Sequence, residues 1–395
     1  MTDHPDAQQS QVVDAWSCPT TVHARAGAAA RVLGGLGSVR VLLVTDEDVW
    51  SGCPAVRHAA GAVALAEVVT RTNEDTDVTV LDRILTAVQR QPDAVVVAAG
   101  GGRVMDVARL AGLLSADAGA RTRLRPLLTT GQGLLMWPAA RDASCPVLCI
   151  PTTIGTAAEV SPVAMIRTDA STTMVVSAAL RSRTAVLDPE VTSTLGAARL
   201  RSGLVEPLSR VLVPAISGER LEPQDALARA LATTLLDLGH HGSLDEDWRL
   251  TAASVSTQTH TAFLSLGRSP FGHVLWPLAT ELAAELSVDK GEALRALLPP
   301  WLEGIGAREL GRPFGTPDRV VTVLGHGPER AASLLRDWLA AVVPGVGAGL
   351  AAVDVDLVLS RTIDRWQAGG AFLRGVSRQE LAWLLARAVG DRRRG

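Results

Sequence analysis

Two loops in the first half of the chain combine residue types suited to a phosphate-bearing ligand. In DAVVVAAGGGRVMDVARLAG (93–112) an apolar run empties into Gly100, Gly101 and Gly102, then into a helical pattern. Glycine lets a backbone approach a pyrophosphate, and the free N–H groups and dipole of a helix N-terminus attract it. The spacing is not that of the G-x-G-x-x-G dinucleotide fingerprint, so a tight strand-to-helix turn accounts for these glycines about as well. In CIPTTIGTAAEVSPVAMI (149–166) a second apolar run ends in Thr152, Thr153, Gly155 and Thr156. Small hydroxyls around a glycine can bond ribose and phosphate oxygens. Two such loops at the ends of strands predict a ligand crevice there.

The elements that must carry these loops follow from periodicity. Short β-type runs at 39–45, 93–100 and 146–152 alternate with helical stretches such as Leu81–Arg90, the pattern of βαβ units and a parallel sheet. Residues 163–189 form a further β-rich stretch. From about Leu200 the apolar residues fall at helical spacing, as in 222–241, 248–267 and 379–394. The fold class expected is an α/β nucleotide-binding domain with a Rossmann-like parallel sheet, followed by an all-helical C-terminal domain. The bounds expected are a loose tail over 1–20, the α/β domain over 21–200 and the helical domain over 201–395. The closing GDRRRG is read as a solvated end, not a nucleic-acid patch.

Composition narrows the function. Of 395 residues 47% are hydrophobic and 20% charged, which suits a packed core and excludes wholesale disorder. Thirty-eight Lys plus Arg against 41 Asp plus Glu give a net charge of -3, so no global basic field exists to hold nucleic acid or an anionic membrane. The polar N-terminus and the lack of any span-length apolar run predict a cytoplasmic protein. Cys18, Cys53, Cys145 and Cys149 show no metal-ligand spacing and are expected to act as small buried hydrophobes. The chain has one lysine, Lys290, one asparagine, Asn73, and no tyrosine. That bias points to a GC-rich genome and removes any tyrosine acid or base.

GGGRVMDVAR resembles the GGGSxxDxAK motif, and PTTIGTAAEV the PTTxGTGSEV motif, of the iron-containing alcohol dehydrogenases, a superfamily that also holds dehydroquinate synthases. RTAVLDPEVTSTL (183–195) is similar to a third stretch of that family. The resemblance runs from about Val39 to about Pro300. It implies an active site between a nucleotide domain and a helical domain, with NAD as cofactor. On that likeness Gly101 and Gly102 face the pyrophosphate, with Gly100 before them. Asp106 lies near the nicotinamide, and Thr152, Thr153 and Thr156 contact ribose and phosphates. Asp46 matches the acidic residue after the first strand, where a carboxylate accepts from ribose hydroxyls and favours NAD over NADP; a plain helix N-cap explains it nearly as well. Arg103 stands where the family has Ser, beside the phosphate loop.

The family's metal site is where the likeness breaks. Its first carboxylate corresponds to Glu206, but the imidazole four residues on is Arg210, which has no lone pair to ligate. His273 survives in FGHVLWPLATEL (271–282), the second His is replaced near Trp276–Pro277, and the last is Lys290. The only lysine thus falls on a ligand position. The expectation is a metal-free NAD-dependent oxidoreductase in which Lys290, His273, Arg210 and Glu206 share acid–base and charge roles, with His260 as a further proton carrier. The His240–His241 pair reads as a helix-end feature. Arg210 and Lys290 suit a small-molecule or peptide substrate bearing a carboxylate. The superfamily includes the dehydrogenases of daptide-type ribosomal peptide pathways, so oxidation of a C-terminal threonine, then decarboxylation, in a specialised actinobacterial pathway is the substrate expectation. A homo-oligomer is expected. Three alternatives stand beside it: a metal held by Glu206, His273 and His260; a non-catalytic subunit binding NAD or a peptide; and, more weakly, a dehydroquinate-synthase-like lyase.

Overall fold

The computed structural model describes residue 13 and residues 15–116, 118–138, 145–168, 171–261, 263–343, 353–367 and 372–390. Six strands form one wholly parallel sheet in the order β1-β9-β6-β4-β2-β3. They are β1 (Thr21–Ala24), β2 (Arg40–Asp46), β3 (Ala64–Arg71), β4 (Val95–Gly100), β6 (Cys145–Pro151) and β9 (Ser182–Leu187). Successive strand residues point to opposite faces, and the apolar runs serve both. Val41, Leu43, Val97, Ala99, Leu148 and Ile150 pack on one side with α1 (Ala28–Gly34) and α3 (Pro54–Ala60). Leu42, Val44, Val96, Ala98, Val147 and Cys149 pack on the other with α4 (Asp77–Arg90) and α5 (Gly102–Ala116). Burial on both faces explains why these strands read as continuous apolar runs. Cys53 and Cys149 are buried and Cys18 is half-buried.

The β-rich stretch 163–189 divides between two sheets. Its last strand, β9, joins the main sheet. β7 (Val163–Arg167) and β8 (Thr172–Val176) pair antiparallel, and β8 pairs in parallel with β5 (Leu134–Met136) as a separate sheet. Arg365 joins this small sheet to the helical half: its Nε donates to the Gly131 carbonyl at 2.7 Å and its Nη2 to that of Thr172 at 2.5 Å.

Beyond η2, the 3-10 turn Pro189–Thr192, the regular elements among the described residues are all helical. Cleft residues come from α7 (Ala197–Ser202), α8 (Val205–Ser217), α11 (Trp276–Leu286), α12 (Lys290–Gly306) and α15 (Val355–Trp366), while α10 (Glu246–Gln258) ends just before Thr259 and His260, which also line it. α9 (Glu222–His240) ends at the His240–His241 pair, where His241 Nδ1 lies 3.1 Å from the Asp237 carbonyl oxygen. The two halves meet backbone to backbone. Gly155 has φ +117°, and a Cβ there would fall 2.4 Å from the Gly203 carbonyl oxygen. A Cβ on Gly203 would meet the Ile154 oxygen at 2.6 Å. Only glycine at both positions allows the second loop to touch the turn that starts α8. Of the N-terminal segment, residues 1–12 and 14 lie outside the described residues; Val13 bridges Leu266, and Trp16 Nε1 donates to the Thr261 carbonyl at 2.7 Å. The closing residues 391–395 also lie outside. Among the described residues no helix is long and apolar enough to cross a membrane.

Candidate active site

The two loops stand side by side because β4 and β6 are neighbours in register, Gly100 opposite Pro151. The Thr152 N–H donates to the Gly100 carbonyl at 3.0 Å. α5 opens at Gly102, and a Cβ on Gly102 would lie 2.8 Å from Thr156 Cγ2. One on Gly101 would lie 3.4 Å from Thr153 Oγ1. Thr152 Oγ1 is buried without a partner. A glycine cradle at the N-terminus of a long helix, edged by hydroxyls with an unmet donor, fits the pyrophosphate of a dinucleotide.

Asp46 ends β2, one strand from the glycine turn, and is the register partner of Arg71. It stands before α2 (Glu47–Gly52) but makes no capping bond; the Arg71 Nη1 donates to it at 3.2 Å instead. Arg71 Nε also lies 3.8 Å from Asp77. Arg103 donates to the same Asp77 through Nε at 3.1 Å and Nη2 at 2.7 Å. Arg103 is therefore drawn toward the start of α4. This Asp46–Arg71–Asp77–Arg103 chain was invisible to motif reading, because its members come from four separate elements. Asp106 accepts from Arg109 Nη2 and from the Met165 N–H at 2.9 Å, which pins β7 to α5. Burial pushes its pKa up to about 6, against the pull of Arg109.

A cleft of about 890 Å³ separates the halves. Gly102, Asp106 and Thr156 line it from the sheet side, and Glu206, Arg210, His260, His273, Trp276 and Lys290 from the helical side. The structure thus gathers the four residues expected to act together, and His260 with them. Arg210 is 7% exposed and heavily committed. Its Nη1 donates to Glu206 at 2.9 Å, its Nε to Thr259 Oγ1 at 2.9 Å and its Nη2 to the Gly155 carbonyl at 2.5 Å. The guanidinium is thus an interdomain tie as well as a charge. Burial lowers the Arg210 pKa, while Glu206 and Glu159 raise it. Glu159, buried and pushed up by desolvation, accepts from Thr257 Oγ1 at 2.6 Å.

His273 Nε2 lies 3.1 Å from Ser209 Oγ, and its Nδ1 is buried without a partner. Desolvation, aided by Arg210 and Lys290, drives its pKa down to about 3, so it is a neutral imidazole. His260 is likewise held well below its ordinary value by burial and by Arg210. Lys290 is half-buried at the first position of α12, with Nζ 3.8 Å from the centroid of the Trp276 ring. Burial lowers its pKa to about 8, with Arg210 adding to the effect and Glu206 and Asp106 opposing it. Trp276, whose buried Nε1 also lacks a partner, is the site residue that sequence reasoning passed over. The signal was present, since Trp276 stands near the missing histidine.

The donor set does not fit a divalent ion. Among the described residues no three His, Cys, Asp or Glu side chains cluster as metal ligands. Arg210 Nη1 donates to Oε1 of Glu206, and neither a guanidinium nor an ammonium offers a lone pair to a divalent ion.

Residues 19–189 match the family model described as iron-containing alcohol dehydrogenase. None of the curated proteins compared matches the chain. Solved structures share the fold over nearly the whole length. NADH-dependent butanol dehydrogenase A from Thermotoga maritima is 16% identical with TM-score 0.78, covering 96% of this chain and 100% of that one. Sulfoacetaldehyde reductase from Bifidobacterium kashiwanohense, solved with NAD+, is 18% identical with TM-score 0.74, over 96% and 99%. Maleylacetate reductase from Rhizobium sp. strain MTP-10005 is 20% identical with TM-score 0.66, over 96% and 98%. Residues 19–189 are thus similar to the iron-containing alcohol dehydrogenases, and the chain as a whole shares the fold of these solved structures.

Proposed function

We propose that the chain is an NAD-dependent oxidoreductase that interconverts a secondary hydroxyl and its carbonyl without a metal ion. The observation that carries this reading is the pairing of Arg210, bonded to Glu206 and to the Gly155 carbonyl, with Lys290 facing the same cleft. NAD, held by Gly101, Gly102, Thr152, Thr153 and Thr156 with Asp46 at the ribose end, would supply the hydride acceptor or donor. Lys290 exchanges the proton at the substrate oxygen, and its pKa of about 8 suits that task near neutral pH. Arg210 stabilises negative charge on that oxygen as a fixed, preorganised cation. Neutral His273 and His260 offer hydrogen bonds without adding charge. Asp106 and Glu159 hold the walls in place.

A carboxylate-bearing substrate belongs to the same proposal. Arg167, Arg199 and Arg361 line the cleft, and two of the fold relatives are reductases named for anionic carbonyl compounds. A peptide C-terminal threonine in a specialised biosynthetic pathway fits this class, as does assembly as a homo-oligomer. A non-catalytic NAD- or peptide-binding subunit is the second reading; the commitment of Arg210 to its own fold favours it. Metal analysis of the purified protein combined with calorimetric NAD titration tests these readings. The proposal expects NAD binding with well below one equivalent of iron or zinc. Stoichiometric metal lost to chelator along with turnover would restore the reading with Glu206, His273 and His260 as ligands.

A further inference from the structure

The side of the glycine cradle toward β2 and β3 carries more than the single carboxylate of Asp46. Four side chains alternate in sign there: Asp46 ends β2, Arg71 ends β3, Asp77 begins α4 and Arg103 stands in the first turn of α5. The Arg71 side chain is 5% exposed. Its one hydrogen bond among the described residues goes to Asp46, and its Nε and Nη2 are buried without a partner. A buried cation this close is little screened and offsets the field of Asp46. A lone carboxylate at this place would repel a phosphate on the ribose 2′-oxygen, whereas a neighbouring arginine accommodates one. Asp46 Oδ2 accepts from no protein donor among the described residues, so it stays free for a ribose hydroxyl.

Arg103 supplies the phosphate ligand. Its Nε and Nη2 share one edge of the guanidinium, and both donate to Oδ1 of Asp77, a side chain only 1% exposed. Asp77 Oδ2 accepts from the Arg167 N–H at 2.7 Å, so both oxygens of this buried carboxylate are committed. The other edge of Arg103, Nη1 with the outer N–H of Nη2, has no partner among the described residues. The side chain is 38% exposed and lines the cleft directly after Gly102. A guanidinium clamped by one edge presents the other as a preformed fork, which matches two oxygens of a phosphate. Since Asp77 also stands 3.8 Å from Arg71, the clamp carries this fork from the glycine turn toward Asp46. We propose that Arg103 binds the 2′-phosphate of NADP(H), so that the chain takes NADP(H) at least as readily as NAD(H). The inference rests on the reading above only in that a dinucleotide occupies the glycine cradle. Arg71 is a positioning residue, which acts through Asp46.

Calorimetric titration of the full chain with NADH and with NADPH, without substrate, tests this independently of turnover. Wild type is expected to bind NADPH at least as tightly as NADH, with the ratio moving toward NADH as salt screens the half-exposed Arg103. Adenosine 2′,5′-bisphosphate should displace NADPH about tenfold more effectively than adenosine 5′-monophosphate. Arg103→Gln should weaken NADPH about tenfold or more and leave NADH within about threefold, and retained NADH binding shows that the variant is folded. If that variant does not fold, the wild-type ratio and the bisphosphate competition decide. Tighter binding of NADH than of NADPH by wild type overturns the proposal, as does a bisphosphate no better than the monophosphate. So does a folded Arg103→Gln that loses neither dinucleotide or both alike. In each of these cases the cradle still holds a dinucleotide; wild type that binds neither removes the cofactor reading as well.

Discussion

On the proposed reading, Lys290 and Arg210 would divide between them what a bound dication does at one point. Lys290→Ala should lower turnover about 10²–10⁴-fold with NAD affinity nearly unchanged, since the residue comes from the helical half. Lys290→Arg keeps charge without titration: activity retained there but lost in the alanine variant would mean a purely electrostatic role. Steady-state kinetics beside calorimetry reads both. The rate should also titrate near pH 8. Carbonyl reduction needs the acid form and falls as pH rises through that value, while alcohol oxidation needs the base form and rises. His273, neutral from about pH 3 upward, should add no inflection near 6.5. The same depression has a stability sign. Between about pH 8 and 10.5 the unfolded chain binds the lysine proton and the folded one does not, so stability rises with pH there. Lys290→Met should therefore raise the melting temperature at pH 7 more than at pH 11 while abolishing turnover. Arg210→Ala should cost about 3–5 kcal/mol, because Glu206 and the Gly155 carbonyl lose their partner; denaturant unfolding checks it. The positions of Lys290 and Arg210 were legible because each breaks a motif. The commitment of Arg210 to Gly155 and Thr259 was not, because it depends on how two halves dock.

At the scale of elements, the strands announced themselves through apolar runs whose alternate residues feed the two layers of core. The glycine turn and the threonine turn were legible as a pair, because strands β4 and β6 end together. The small sheet was not. β5 lies far in sequence from its partner β8, and the Arg365 bonds that tie the small sheet to the helical half leave no local pattern. Gly102→Val should abolish NAD binding, because even a Cβ would meet Thr156 and the branched side chain would fill the cradle. A calorimetric titration in which this variant still binds NAD would misplace the pyrophosphate. Gly155→Ala combines φ +117° with a contact on the Gly203 oxygen, so it should lower the melting temperature by separating α8 from the second loop. The His240–His241 pair, by contrast, stays outside the cleft.

For the molecule as a whole, the cleft lies between an α/β half and a helical half, and on the proposed reading each supplies part of the chemistry. The sheet side offers a cradle for a dinucleotide, and the helical side brings a lysine, an arginine and two neutral histidines to face it. The change of hydrophobic periodicity near Leu200 foretold the two halves but not the electrostatics of their junction, which arise from burial. The most direct measurement is NADH oxidation against a panel of carboxylate-bearing carbonyl compounds, with and without chelator. The account predicts turnover that is the same in both, unchanged by added iron or zinc and lost in Lys290→Ala. Turnover that disappears in chelator and returns with either metal would contradict it.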